Sequence, residues 1–239
     1  MRRLKSADAP CSALPKLTKS GDRVNIRPVL LVVDMQNGFC GLGGTFDKFG
    51  FNIGPYRAII PALQTLIARM RRLGVPIYYS RAIRERSGLD CIDKVHRIIP
   101  ESRRERIEKM PLCIRGTWDS DVIDELRPEA DDFIVEKRRD SVFQDTEFDL
   151  WLKAFRADAV IFCGIDTYIC VESSVREAFN KGYDVILVKD CVASRNPRHH
   201  LTTLEQVAEA YGWVLSSTEL IEKIQAGQIV VSPDEEAST

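Results

Sequence analysis

Cys170, Asp34 and Lys137 are side chains whose types and settings could together carry out covalent chemistry. Cys170 lies in the run Cys163-Gly164-Ile165-Asp166-Thr167-Tyr168-Ile169-Cys170-Val171-Glu172-Ser173-Ser174. Residues 158–163 before it form a short apolar run that reads as a buried parallel strand, and Val171, Val175, Ala178 and Phe179 recur at helical spacing. The thiol is therefore expected in the first turn of a helix, where unpaired N–H groups and the positive end of the dipole favour thiolate. Asp34 ends the apolar strand Pro28-Val29-Leu30-Leu31-Val32-Val33, and Phe133-Ile134-Val135-Glu136 leads into Lys137. In a doubly wound α/β sheet the C-terminal strand ends line the ligand crevice. There a carboxylate can take the thiol proton, an ammonium can hold the charge, and the thiolate can attack a carbonyl carbon.

These residues need a framework of alternating strands and helices. The first strand ends at Asp34, and a helix near Pro61 places Leu63, Leu66, Ile67 and Met70 on one face and stops at Gly74. Further strands are expected at 75–79, 133–136, 159–163 and 183–189, with a short sixth near Trp213. Helices are expected from an N-cap at Thr146 through Phe155 and over 199–210, with 190–194 as a loop. This alternation predicts a three-layer α/β/α sandwich around a six-stranded, mainly parallel, doubly wound sheet. One domain is expected over 27–226, between a basic, disordered arm at 1–26 and a tail at 227–239. The charged stretch 80–130 is an insertion of the kind that shapes a pocket. Gly41-Leu42-Gly43-Gly44 lacks the Lys-Ser/Thr of a phosphate loop and reads as a flexible active-site loop.

The segments Val32-Val33-Asp34-Met35-Gln36, Lys137 followed by Ser141 and Phe143, and Gly164-Ile165-x-Thr167-x-x-Cys170-Val171 resemble the isochorismatase-like cysteine hydrolase superfamily over about Arg27 to Leu220. The resemblance implies Asp34 as base, Lys137 as activating cation and Cys170 as nucleophile. It also implies a cis bond at Ile165–Asp166 that directs the backbone N–H groups of Asp166 and Cys170 at an oxyanion. Such donors contribute about 2.7–4 kcal/mol each. The substrate it implies is a small amide, ureide or carbamoyl compound, cleaved at a C–N bond through an acyl-thioester. Ureidoacrylate and biuret hydrolases are the most similar in texture, and isochorismatase or nicotinamidase activity is the alternative. Isochorismatases do without the cysteine, so Cys170 argues against the former. A scaffolding role or a redox-sensing thiol is weaker still. Asp166 departs from the small uncharged residue usual there, and points away from the thiol, binds an amino or ureido N–H of the substrate, or is a plain surface or interface carboxylate.

Nicotinamidases of this superfamily carry an Asp/His metal cluster, whereas this chain has three histidines, His96, His199 and His200. No metal and no cofactor are expected. Substrate contacts are expected from Asn37, Phe39, Trp118, Thr167 and Tyr168. Arg138 and Arg139 offer a cation for a substrate carboxylate, with a structural ion pair as the plainer reading, and a structural role is expected for Glu172.

A net charge of −1 gives no field for nucleic acid or an anionic membrane. No apolar run approaches a span of about 20 residues. The first 27 residues hold seven Arg or Lys against two Asp, with no apolar h-region of a secretory signal. Seven cysteines without a CxxC pair fit a reducing, cytoplasmic setting, with Cys163 and Cys191 packed in the core. A homo-oligomer, dimer or tetramer, is expected from the resemblance alone.

Overall fold

The computed structural model describes residues 23–90 and 98–231. Its main sheet is built from β2 (Pro28–Val33), β3 (Ile77–Ala82), β4 (Phe133–Lys137), β5 (Ala159–Ile165), β6 (Asp184–Ala193) and β7 (Trp213–Leu215). All neighbours are parallel, in the order β4-β3-β2-β5-β6-β7. The chain winds from β2 outward to β4 on one side and from β5 outward to β7 on the other. The crevice between β2 and β5 is therefore the topological switch point.

Side chains alternate across β2, so that Leu30 and Val32 face one core and Val29, Leu31 and Val33 the other. The first core takes Leu63, Leu66, Ile67 and Met70 from the helix Ile60–Arg72 and Leu220 from the helix Ser217–Gln225. The second takes Phe148 and Leu152 from Phe148–Ala154, Val175 and Ala178 from Glu172–Asn180, and Val207 from Pro197–Ala210. A sheet apolar on both faces is stable only when both are covered, which these two helix layers accomplish.

Several boundaries differ from the sequence reading. Val24–Ile26 (β1), placed in the arm, pairs in parallel with Ile229–Val231 (β8), placed in the tail, so both ends of the domain extend beyond 27–226. Strand β3 runs to Ala82 rather than Tyr79. Strand β6 continues through Lys189 and Asp190 to Ala193, where a loop was expected. The two exposed polar residues interrupt the apolar pattern, and the register shifts between Phe162 and Gly164, but β6 resumes its pairing through Val192 and Ala193. Thr146 stands just before the helix rather than capping it; its Oγ accepts from the Phe148 N–H at 3.2 Å. Gly41–Gly44 is a tight turn closed by Gly44 N–H donating to the Gly41 carbonyl, packed on the Asn37 backbone and set apart from the cavity described below.

Candidate active site

Three strand ends deliver the chemistry. Register places Val33 opposite both Ser80 and Gly164, and Ala82 opposite Lys137. The residue after β2, the end of β4 and the turn after β5 thus share the C-terminal rim. Gly164 makes this approach possible, because a Cβ there would lie 2.2 Å from the Val33 carbonyl oxygen. Asp34 turns off the strand in the left-handed region at φ 52°, which carries its carboxylate inward.

Asp34 is 1% exposed and Lys137 is 1% exposed. Asp34 Oδ1 accepts from Ser80 Oγ at 2.6 Å, and Oδ2 lies 2.8 Å from Lys137 Nζ. Lys137 Nζ also donates to the Arg139 carbonyl at 3.1 Å and interacts with Cys170. A buried ion pair must satisfy its remaining donors and acceptors within the protein, and this one does so through Ser80, Arg139 and the thiol. Burial works against the ammonium, but the Asp34 carboxylate and Cys170 more than offset it, and Lys137 is held above its ordinary value of 10.5.

Cys170 lies in a wide, π-type turn, Thr167–Val171, which runs directly into the helix from Glu172. Its carbonyl accepts from Ser174 Oγ at 2.7 Å, and Ser174 Oγ accepts in turn from the Val142 N–H at 3.0 Å. The expectation that the turn alone would lower the thiol's pKa is overturned. Burial pushes the Cys170 thiol up, Lys137 opposes this, and Asp34 adds to it. The resting group is a thiol beside a carboxylate and an ammonium, so deprotonation requires the neighbouring base rather than helix position. The arrangement can transfer a proton from sulfur to carboxylate while the ammonium neutralises the charge that moves.

Asp34, Lys137 and Cys170 open on a cavity of about 240 Å³, with room for a small molecule. Residues 83–90 and 103–114 supply much of its wall, including Arg103, Arg106 and Ile107 of the helix Glu101–Lys109. Phe39 lines the cavity. Asn37, Trp118, Thr167 and Tyr168 do not line it. Asn37 spends its amide on the Trp118 carbonyl at 2.9 Å, and Trp118 itself is exposed. Thr167 is buried with Oγ 3.0 Å from His200 Nδ1, and Tyr168 meets the His199 ring edge-on. Being next to Cys170 in sequence does not decide which way a side chain faces.

Asp166 faces inward, against the reading that it points away. It lines the cavity, and Oδ2 accepts from Tyr56 Oη at 2.5 Å. Burial pushes its carboxyl up, with Tyr56, Ser194 and Arg195 pulling the other way. The peptide bond before it, Ile165–Asp166, is cis.

The cationic character of the cavity was visible in Arg103-Arg104-Glu105-Arg106 only as charge. Arg103 is held by both oxygens of Asp140, at 2.7 and 3.0 Å, and Arg138 by Glu85. Arg106 and Arg195 have no carboxylate partner among the described residues. Arg106 donates through Nε to the Ser102 carbonyl, and Arg195 packs over Phe51 and Phe46 at 4.3 and 4.9 Å. Burial lowers the pKa of Arg106, and the neighbouring Arg195 lowers it further. Among the described residues neither guanidinium has a carboxylate ion pair, although Arg195 stands near enough to Asp166 to help lower its pKa, and such a cationic wall suits an anionic ligand group. Arg139 donates to the carbonyls of Asp90 and Arg138. Glu172 pairs with Arg176 at 2.7 Å and accepts from Thr203, a structural role as expected.

Cys163 and Cys191 are buried in the core, with thiols pushed up mainly by burial, while Cys11, Cys91 and His96 lie outside the described residues. Among the described residues no group of three or more His, Cys, Asp or Glu is gathered as a metal would require, and no helix is long and apolar enough to cross a membrane.

Residues 28–219 match the family model described as the isochorismatase domain. The ureidoacrylate amidohydrolase RutB of Azorhizobium caulinodans is 32% identical over 198 residues, covering 77% of this chain and 85% of that protein. Its namesake in Serratia proteamaculans is 31% identical over 192 residues, 77% of each. A cysteine hydrolase from Pseudomonas syringae pv. phaseolicola 1448A superposes with a TM-score of 0.72 at 27% identity, over 84% of this chain and 93% of that one. The N-carbamoylsarcosine amidase from Thermoplasma acidophilum does so with a TM-score of 0.62 at 28% identity, over 81% and 98%.

Proposed function

The chain belongs to the isochorismatase family, and on that premise we propose that it is a cysteine-dependent amidohydrolase acting on a small ureido or carbamoyl compound. The observation that carries this reading is the fully buried Asp34–Lys137 ion pair, at 2.8 Å, set against the Cys170 thiol on the cavity wall. A binding fold has no use for a buried ion pair aimed at a thiol, since such a pair by itself adds little to stability. The names of the relatives, ureidoacrylate amidohydrolase and N-carbamoylsarcosine amidase, support a ureido or carbamoyl substrate.

In the proposed mechanism Asp34 takes the Cys170 proton as sulfur attacks the carbonyl carbon, and Lys137 holds the charge balance during the transfer. The oxyanion is received by the backbone N–H groups of Asp166 and Cys170. The S–C bond forms, the C–N bond breaks, and the proton on Asp34 passes to the leaving nitrogen, which departs as ammonia or an amine. Water then attacks the acyl-thioester, giving a proton to Asp34. The C–O bond forms, the S–C bond breaks, and the thiolate recovers its proton from Asp34. The guanidiniums of Arg106 and Arg195, which have no carboxylate ion pair among the described residues, support a carboxylate on the substrate end remote from the scissile bond. Phe39 supplies an apolar wall. A homo-oligomeric, cytoplasmic enzyme without metal or cofactor completes the proposal; unpaired thiols at Cys40, Cys113, Cys163, Cys170 and Cys191 support a reducing compartment.

The test is ammonia release from ureidoacrylate, biuret, N-carbamoyl amino acids and nicotinamide. Release from a ureido compound by the wild type, falling by about 10⁴-fold or more in Cys170→Ala, is expected from loss of a covalent nucleophile. Undiminished turnover in the variant would overturn the reading.

A further inference from the structure

Strand β3 sets Ser80 on the same side of the sheet as Tyr78, which packs in the second core with Val33 and Phe143. Ser80 lies opposite Val33 and is 1% exposed, so it interrupts a buried apolar face. A buried hydroxyl is costly unless it is hydrogen-bonded, and both bonds of this one are made to Asp34. The hydroxyl donates to Asp34 Oδ1 at 2.6 Å, and Oγ accepts from the Asp34 N–H at 3.2 Å, as does the Ser80 carbonyl. Ser80 thus grips Asp34 by backbone and carboxylate together, in the left-handed conformation at φ 52° that a residue with a side chain keeps only when its surroundings impose it. The two carboxylate oxygens are thereby made unlike. Oδ1 holds the Ser80 hydroxyl, while Oδ2 lies 2.8 Å from Lys137 Nζ and has no hydroxyl or amide donor among the described residues. Lys137 is anchored in turn by the Arg139 carbonyl at 3.1 Å, and Cys170 interacts with both members of the pair.

Resting on the reading proposed above, we infer that Ser80 is a positioning residue of the reaction, whose hydroxyl occupies Oδ1 and so fixes Oδ2 as the oxygen of Asp34 that exchanges a proton with the Cys170 sulfur. One proton is in transit. The S–H bond breaks as Oδ2–H forms, and Oδ2–H breaks as the leaving nitrogen gains its N–H, while Ser80 keeps its own proton throughout. A carboxylate turns about its Cβ–Cγ bond, and without Ser80 this one is free to follow the ammonium alone, off the line to sulfur. Closeness to the reacting atoms counts only when the aim is right, and a displacement of about 1 Å can cost about a hundredfold in rate. Ser80 does not line the cavity, so its effect falls on the chemical step and not on substrate binding. The role needs neither charge nor bulk, only one O–H at a fixed place, and its mark in the sequence is a single small polar residue within the strand Ile77–Ala82.

The test compares the whole enzyme as wild type, Ser80→Ala, Ser80→Thr and Ser80→Val. Threonine and valine share one branched shape and differ in the hydroxyl, so a loss caused by crowding falls on both variants alike. With ureidoacrylate as substrate, ammonia release is expected to show kcat lowered by about ten- to a hundredfold in Ser80→Ala and Ser80→Val, KM changed by no more than about twofold, and Ser80→Thr close to wild type. Should Ser80→Ala not fold, the other two variants decide alone. An unchanged kcat in Ser80→Val, a Ser80→Thr as impaired as Ser80→Val, or a rise in KM with kcat held would overturn the inference while leaving the hydrolase reading intact. If the wild type releases no ammonia, that reading fails on this substrate. The inference is then decided by the rate at which iodoacetamide alkylates Cys170 at neutral pH, a reaction that also needs the thiol proton removed. Slower alkylation in Ser80→Val than in Ser80→Thr sustains it. Equal or faster alkylation overturns it, because loss of a donor by itself makes a carboxylate hold a proton more tightly and would speed the reaction.

Discussion

The rim formed by the ends of β2, β4 and β5 and the opposing wall drawn from residues 83–90 and 103–114 enclose one cavity but are built differently. On the rim, Asp34, Lys137 and the Cys170 turn extend from buried parallel strands whose register fixes them. On the wall, Arg84, Arg103 and Arg106 stand on irregular chain and a helix of Glu101–Lys109 with no buried residue. The rim is buried, apolar beneath and paired through Asp34 and Lys137, which suits a reaction that must be repeated without error. The wall is charged and carries surplus cations, which suits recognition and tolerates replacement. The proposed chemistry and selectivity thus fall to elements of unequal burial.

The strongest way to break this comparison is to damage the rim. Lys137→Met leaves the Asp34 carboxylate buried without its cation, and a loss of about 3–5 kcal/mol of stability is expected, read as a fall in the midpoint of urea unfolding. Activity should vanish with it. The double variant Asp34→Asn with Lys137→Met should recover most of the stability and none of the activity; recovery of both would remove the pair from the mechanism. The pair's stabilising contribution has a defined pH range. Because Lys137 is held above its ordinary value of 10.5, that contribution is fully present below pH 10.5 and is lost only as pH rises beyond it. Stability curves of wild type and double variant should accordingly run parallel through neutral pH and converge in strong alkali.

Damage to the wall should read differently. Arg106→Gln is expected to raise KM for a carboxylate-bearing ureide by about ten- to a hundredfold, the scale of a charge-assisted hydrogen bond, while kcat and the unfolding midpoint change little. A fall in kcat with KM unchanged would place Arg106 with the rim and erase the distinction. The smallest effect lies far from both. Glu219 sits in a capping box with Ser216, and the backbone N–H it accepts from holds its carboxyl down at about 2. A depressed carboxyl stabilises above its ordinary 4.5 and loses that contribution as pH falls toward 2. Glu219→Gln should therefore lower the thermal midpoint slightly at pH 7 and not at all near pH 2, with activity unchanged.

The same division decided what could be read from the sequence. The rim was legible because a six-residue apolar strand ending in Asp34 and a strand-to-helix turn holding Cys170 are local signals, and parallel topology brings their ends together. Ionisation was not legible. The turn suggested a lowered thiol pKa, whereas burial, with the Asp34 carboxylate adding to it, produces the reverse. Pairing across the ends of the chain, β1 with β8, has no local signature, because each strand is three residues long and is defined only by its partner. Strand β6 was read short because Lys189 and Asp190 break the apolar pattern where the sheet edge is exposed. The wall remained opaque for a related reason. Whether an arginine is free or paired depends on contacts such as Arg103 with Asp140, 37 positions apart, and the bonds of Asn37 and Thr167 likewise reach 81 and 33 positions along the chain, where no local pattern announces them.

The central claim is that Cys170 carries the acyl group during turnover. Rapid acid quench of wild-type enzyme mixed with excess ureide substrate, followed by proteolysis and mass spectrometry, should find the substrate's acyl mass on the peptide holding Cys170 and nowhere else, and none in Cys170→Ala. Steady ammonia release with Cys170 unmodified at every quench time, or with the variant still active, would contradict it.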